Sequence, residues 1–195
     1  MDCIKIGQII LELRREKGYT QQQLADKMNI SNKTISKWEC GAGCPDVSLW
    51  PELSSILGVE IQRLLDGRLE HNKPDVGRMD RTNFYVCPHC SNILTSTGHA
   101  NISCCGRRLK PLEAIQASEE LKLKIEEIDI ESFVSSDHTM AKDDYIAFIA
   151  YVRFDRVMIV RLYPEQDAQA SLPILRKGDT LYFYCTKEGL FKQKV

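Results

Sequence analysis

Apolar residues fall into two rhythms along the chain. In the first 67 residues the period is helical. Ile6, Ile9, Ile10 and Leu13 recur at i, i+3, i+4 and i+7, which predicts a first helix. Gly18 is placed to end it. Thr20 with Gln23 three residues on is a capping-box pattern, so a second helix is expected with Leu24, Ala25 and Met28 inward. Asn29 suits a turn that needs a left-handed residue. Ser31 then caps a third helix whose inner face is Ile35 and Trp38, leaving its polar side chains outward. Asp46 caps a fourth, with Val47, Leu53, Ile56 and Leu57 as its apolar set; Gly58 stops it. Ile61, Leu64 and Leu65 mark a fifth. After a polar stretch, LEHNKPDVGRMDRTN, the rhythm becomes that of strands: NFYV, ELKLKIEEIDI, YIAFIAYV, RVMIVRLY and TLYFYC. The expected organisation is a helical domain over 1–68, a linker over 69–82, a cysteine-bearing ribbon over 83–112 and a β domain over 113–195.

Composition narrows the function classes. A hydrophobic share of 43% in 195 residues excludes a mainly disordered chain. No apolar run approaches the length of about 18 that a membrane span needs, and the first residues lack a secretory pattern, so a cytoplasmic protein with no membrane partner is expected. In that setting, eight cysteines favour metal ligands over disulfides. The net charge of −1 argues against a generally basic nucleic-acid coat. It is an average, however: residues 1–68 sum to zero, 69–110 to +3 and 111–195 to −4.

Two helices joined by a short turn, the second with a polar outer face, is the helix-turn-helix plan. The segment TQQQLADKMNISNKTISKWECG resembles the lambda-repressor-like, or XRE, family of DNA-binding domains through its T-Q-x-x-L-A, S and I-S-x-W-E-x-G skeleton. The resemblance implies a five-helix domain whose third helix enters the major groove of a double-stranded operator. Gln21 would then donate to a phosphate. Asn32, Lys33 and Lys37 would face base edges, with Ser31, Thr34 and Ser36 beside them. Asn suits adenine and Lys suits guanine. Trp38 is assigned to packing and Glu39 to an ion pair or cap, while Arg14 and Arg15 are expected to add local positive charge. Reading a useful length of DNA implies a homodimer. Cys3, Cys40 and Cys44 are expected to be ordinary thiols.

Cys87 and Cys90 form a C-x-x-C pair, and Cys104 and Cys105 return thirteen residues later, followed by Gly106. Two thiolate pairs suit a tetrahedral ion, provided the backbone bends at 104–105 so that neighbouring side chains face the same way. Pairing into two disulfides is the alternative. His89 and His99 are read as solvent-facing. The stretch NFYVCPHCSNILTSTGHANISCCGRRLKPL resembles desulforedoxin and the matching domain of desulfoferrodoxin. That implies one iron held by four thiolates, and the same cage accepts zinc.

The last segment resembles the superoxide reductase (neelaredoxin-like) domain at DHTMAKDDYIAFI and LYFYCTKEGLF. The implied fold is an immunoglobulin-like β-sandwich and the implied centre an iron with four histidines and one cysteine. His138 matches one histidine and Cys185 the cysteine. Asp144 and Glu188 stand where two more histidines are expected, and no counterpart of the family's E-K-H-V-P segment occurs between Ala117 and Val134. A sandwich that has lost its iron and is not an enzyme is the expectation, with a rebuilt site of His138, Asp144, Cys185 and Glu188 as the alternative. The whole reads as a DNA-binding regulator with a four-cysteine zinc or iron module. The sandwich would serve dimerisation or sensing. A superoxide reductase fused to a DNA-binding domain, and a regulator whose zinc is purely structural, are the competing readings.

Overall fold

The computed structural model describes residues 2–69, 72–74 and 77–195. The chain divides into two compact units, Met1–His71 and Asn72–Val195.

The first unit is five helices: α1 (Cys3–Glu16), α2 (Gln21–Lys27), α3 (Asn32–Glu39), α4 (Trp50–Leu57) and α5 (Ile61–Asp66). Local chemistry sets their ends. Asp2 accepts the N–H groups of Ile4 and Lys5 at the start of α1. Thr20 and Gln23 close a full capping box on α2. Ser31 caps α3 through the N–H of Thr34. Asn29 takes φ 51° between α2 and α3, as the turn demands. Asp46 caps a short 3-10 turn, Val47–Leu49, that leads into α4. Ile6, Ile9, Ile10, Leu13, Leu24, Ala25, Met28, Ile35, Trp38, Leu53 and Leu57 are buried in one core. Val47 does not join them. It is 74% exposed, because the capping turn ends before the helix begins and points this side chain out.

Helices α1 and α3 cross closely at Gly7. A Cβ placed there would lie 1.9 Å from the Trp38 carbonyl oxygen, and that obstacle is backbone. Gly7→Ala is therefore expected to push the two helices apart and cost about 3 kcal/mol or more. A thermal melt of the full chain checks this; an unchanged helical transition would contradict it.

Arg14, expected to add charge for DNA, is buried instead. Its guanidinium donates to Glu39 at 2.5 and 3.0 Å and to the Tyr19 carbonyl at 2.5 Å. Glu39 is thus the ion-pair residue anticipated, and Arg14 is its partner.

Cys3 and Cys44 form a disulfide with Cα atoms 5.1 Å apart, which corrects their reading as ordinary thiols. It ties the first turn of α1 to the loop after α3. The 41-residue separation hid the pair from spacing arguments. Cys40 is a free, exposed thiol.

Of the expected linker, residues 70, 71, 75 and 76 lie outside the described residues. Its end is built into the second unit. Met79–Arg81 form a 3-10 turn, and the Met79 N–H bonds to the Phe154 carbonyl at 2.9 Å.

The second unit has twelve described strands. Two hairpins come first: β1 (Asn83–Val86) with β2 (Ile93–Ser96), and β3 (Ile102–Cys104) with β4 (Arg107–Leu109). The remainder, β5 (Ala114–Gln116), β6 (Lys124–Ile128), β7 (Glu131–Ser135), β8 (Ile146–Val152), β9 (Val157–Arg161), β10 (Gln169–Pro173), β11 (Thr180–Cys185) and β12 (Gly189–Lys194), make two sheets. Their orders are β5-β12-β11-β8-β9 and β10-β7-β6. All pairings are antiparallel except β12 with β5.

Every residue of β8 is buried. Ile149 and Tyr151 face the three-stranded sheet across the sandwich core. Phe148, Ala150 and Val152 face the other way and pack with Phe84, Val86, Ile93 and Leu112 of the ribbon. The Phe84 ring lies 5.6 Å from Phe148 and 5.2 Å from Tyr182 between centroids. Ribbon and sandwich thus share a core, and a strand covered on both faces is apolar throughout.

Candidate functional sites

The outer face of α3 is polar by construction. With Ile35 and Trp38 buried, Asn32, Lys33 and Lys37 are exposed, and Thr34 and Ser36 are partly so. Ser31 is occupied with capping, its hydroxyl 2.8 Å from that of Thr34. Gln21 opens α2. Its amide donates to Glu39 at 2.7 Å, which fixes the side chain and leaves a second N–H of the same nitrogen. The Arg14–Glu39–Gln21 network therefore links α1, α2 and the end of α3.

The four cysteines of the ribbon come together. Their sulfurs all lie within 4.8 Å of one another, with Cys90 and Cys104 3.5 Å apart and Cys104 and Cys105 3.9 Å apart. Tetrahedral bonds of about 2.3 Å to one ion would place sulfurs about 3.8 Å apart, so the set fits a four-thiolate metal site. Two turns build it. Cys87 directly follows β1, and its carbonyl receives the Ser91 N–H at 2.9 Å. Between β3 and β4, Cys105 and Gly106 take φ 51° and 71°, the two left-handed residues of a type I′ hairpin. That is the bend that lets adjacent cysteines share an ion. The N–H groups of Cys90 and His89 draw the Cys87 thiol down to about 6. Hydrogen bonding to Cys90, together with burial and the neighbouring thiols, pushes Cys105 up to about 12. The Cys87 thiolate forms readily, while Cys104 and Cys105 resist ionisation until a cation compensates them. His89 and His99 are exposed and outside the cluster.

A second cluster forms at one end of the sandwich. Cys185 closes β11, Asp144 sits in the turn before β8, and His138 follows β7. The Cys185 sulfur lies 3.6 Å from His138 Nε2 and 3.3 Å from Asp144 Oδ1; Nε2 and Oδ1 are 3.5 Å apart. The sulfur also accepts the Glu188 N–H at 3.5 Å. The Glu188 side chain is exposed and not part of the group; what this residue supplies is its backbone. The four-histidine, one-cysteine iron set does not fit here, since His138 is the one imidazole in the group.

A helix-turn-helix family model matches residues 10–64. Over 61 residues the chain is 39% identical to the SPbeta prophage-derived uncharacterized HTH-type transcriptional regulator YonR of Bacillus subtilis (31% of this chain, 56% of the relative). Over 64 residues it is 36% identical to the HTH-type transcriptional activator BcrR of Enterococcus faecalis (33% of this chain, 31% of the relative). The chain thus spans about half or less of the lengths of these two relatives. Among solved structures, the superoxide reductase from Treponema pallidum aligns over 61% of this chain and 100% of its own, with a TM-score of 0.50 and 17% identity. That likeness is one of fold. The N-terminal unit is a helix-turn-helix domain of the XRE type, fused to a β region with the fold of superoxide reductase.

Proposed function

We propose that this chain is a sequence-specific DNA-binding transcriptional regulator that works as a homodimer. The observation that carries the reading is α3. Its buried side chains lock it onto a helix-turn-helix core, while Asn32, Lys33 and Lys37 project from the opposite face. The cationic pair and the amide can hydrogen-bond base edges in the major groove, and the second N–H of Gln21 is available to a phosphate. No described helix is long and apolar enough to cross a membrane.

Four thiolates hold one zinc or iron ion, by Cys87, Cys90, Cys104 and Cys105, and this ion organises the ribbon. The sandwich acts without catalysis, as a dimerising or sensing body. When an iron ion is bound, the ribbon gains a one-electron couple; a zinc ion would supply structure alone. The sandwich retains too little of the reductase ligand set for superoxide chemistry.

Asn32→Ala and Lys37→Ala are each expected to weaken binding to the cognate operator by about 5- to 150-fold, equivalent to about 1–3 kcal/mol per base contact, and to relax sequence preference at one position. Gel shifts at fixed salt measure this. Equal affinities for wild type and both variants would remove α3 from the recognition surface. Stripping the ion and repeating the shift separates sensing from structure: unchanged operator affinity would end the sensing role.

A further inference from the structure

We propose that His138, Asp144 and Cys185 form a second metal site, for a tetrahedral divalent ion such as zinc(II), with the fourth position left to water. It stands where the resemblance places the reductase iron, with His138 and Cys185 at two of that centre's ligand positions and Asp144 at a third, but its donor set suits zinc and not the four-histidine iron centre.

The geometry carries this. A tetrahedral ion with ordinary zinc bond lengths sets sulfur–nitrogen, sulfur–oxygen and nitrogen–oxygen edges of about 3.4–3.6 Å. The three observed edges are 3.6, 3.3 and 3.5 Å. One soft thiolate, one imidazole and one carboxylate is a donor set that zinc accepts readily. The Glu188 N–H on the Cys185 sulfur and the Lys187 ammonium, 3.5 Å from the outer oxygen of Asp144, hold two of the ligands from behind.

The cluster does not have the form of a nucleophilic triad. There the carboxylate must meet the imidazole nitrogen that is turned away from the thiol. Here Asp144 and Cys185 both face Nε2, and Nδ1 accepts the Met140 N–H at 3.1 Å. Three donors converge on one point instead of forming a relay.

That Met140 contact has a consequence for loading. In the metal-free chain it leaves the ring proton on Nε2. An ion on Nε2 sends this proton to Nδ1 and releases the Cys185 thiol proton to solvent. The Nδ1–H then needs an acceptor where the Met140 N–H now sits. Met140 holds φ 50°, a left-handed angle rare for its residue type. Turning over the Thr139–Met140 peptide would return it to an ordinary angle and offer the Thr139 carbonyl to Nδ1–H.

The test is metal stoichiometry and spectroscopy on the full chain, reconstituted without oxygen using cobalt(II) and, separately, zinc(II). Two equivalents are expected for the wild type. One should show the charge-transfer intensity of four sulfur ligands and the other that of a single sulfur. His138→Gln and Asp144→Asn should each bind one equivalent with the four-sulfur spectrum alone. Their melting temperatures, measured without the second ion, should stay near that of the wild type, so that the loss does not reflect misfolding. A wild type that takes up only the four-sulfur equivalent, or variants that retain two, would overturn the second site and leave the ribbon assignment standing. A single equivalent with a one-sulfur spectrum would do the reverse.

Discussion

Cys90→Ser is expected to abolish tight metal binding at the ribbon and to unfold residues 83–112 while the five helices persist. The ribbon's own buried cluster is Tyr85, Cys87 and Leu109, with Leu94, Ile102 and Cys104 at its edge. So few side chains cannot offset the conformational entropy of ordering a segment of that length, at about 1–2 kcal/mol per residue. A four-thiolate ion can, since structural sites of this type contribute on the order of 10 kcal/mol. Packing of Phe84 and Ile93 on the sandwich helps, but it depends on the hairpin that the ion holds. The expected signature is specific. Resonances of the ribbon collapse, a hydrophobic dye binds the uncovered Phe148–Val152 face, and the helical circular-dichroism signal changes little. Intact ribbon resonances in the variant would mean that packing alone folds this segment.

Glu39→Ala is expected to be the most damaging single change in the helical unit. The Arg14 and Glu39 side chains are only 9% and 3% exposed. Removing the carboxylate leaves a guanidinium buried with only the Tyr19 carbonyl to bond, and strips Gln21 of its anchor. Breaking one partner of a buried pair costs about 3–5 kcal/mol, a large share of the roughly 5–15 kcal/mol that holds a typical domain together. Burial disfavours the charged guanidinium, yet the hydrogen bonds to Glu39 raise the Arg14 pKa above its ordinary value. The pair is therefore held by contact geometry that a lone arginine cannot replace. Chemical denaturation of the helical signal should show the loss. The double variant Arg14→Met, Glu39→Leu should recover much of it, because it removes both charges at once. If the double variant is as unstable as the single one, the cost lies in packing and not in the orphaned charge.

Much of the helical unit was legible because its signals are local. Caps at Thr20 and Ser31, the left-handed Asn29, and apolar residues at helical spacing each report on a few neighbouring residues. What escaped depends on distance in sequence. The Cys3–Cys44 bridge joins residues 41 positions apart, so no local pattern reports it. Arg14 looks like surface charge until Glu39, 25 residues on, is placed against it. In the second unit, YIAFIAYV is readable as a strand, but its unbroken apolar run also encodes a second covering layer, the ribbon. Strands β7 and β10 alternate buried and exposed positions with serines in both, so their apolar signal is faint. The four-cysteine site was readable from spacing, and the bend at 105–106 supplies the backbone reason that it works. The second cluster was legible only through the family resemblance, because its ligands come from three segments far apart in sequence, the last of them the end of β11.

The central claim is that α3 of this chain reads DNA sequence. It is tested most directly by selecting binding sites for the purified full chain from a random pool of duplexes at physiological salt. The expected result is enrichment of one two-fold-related motif, with half-sites about one helical turn apart, that the Asn32→Ala, Lys37→Ala double variant fails to enrich. A pool that stays random, or a motif that the double variant selects equally well, would contradict the account.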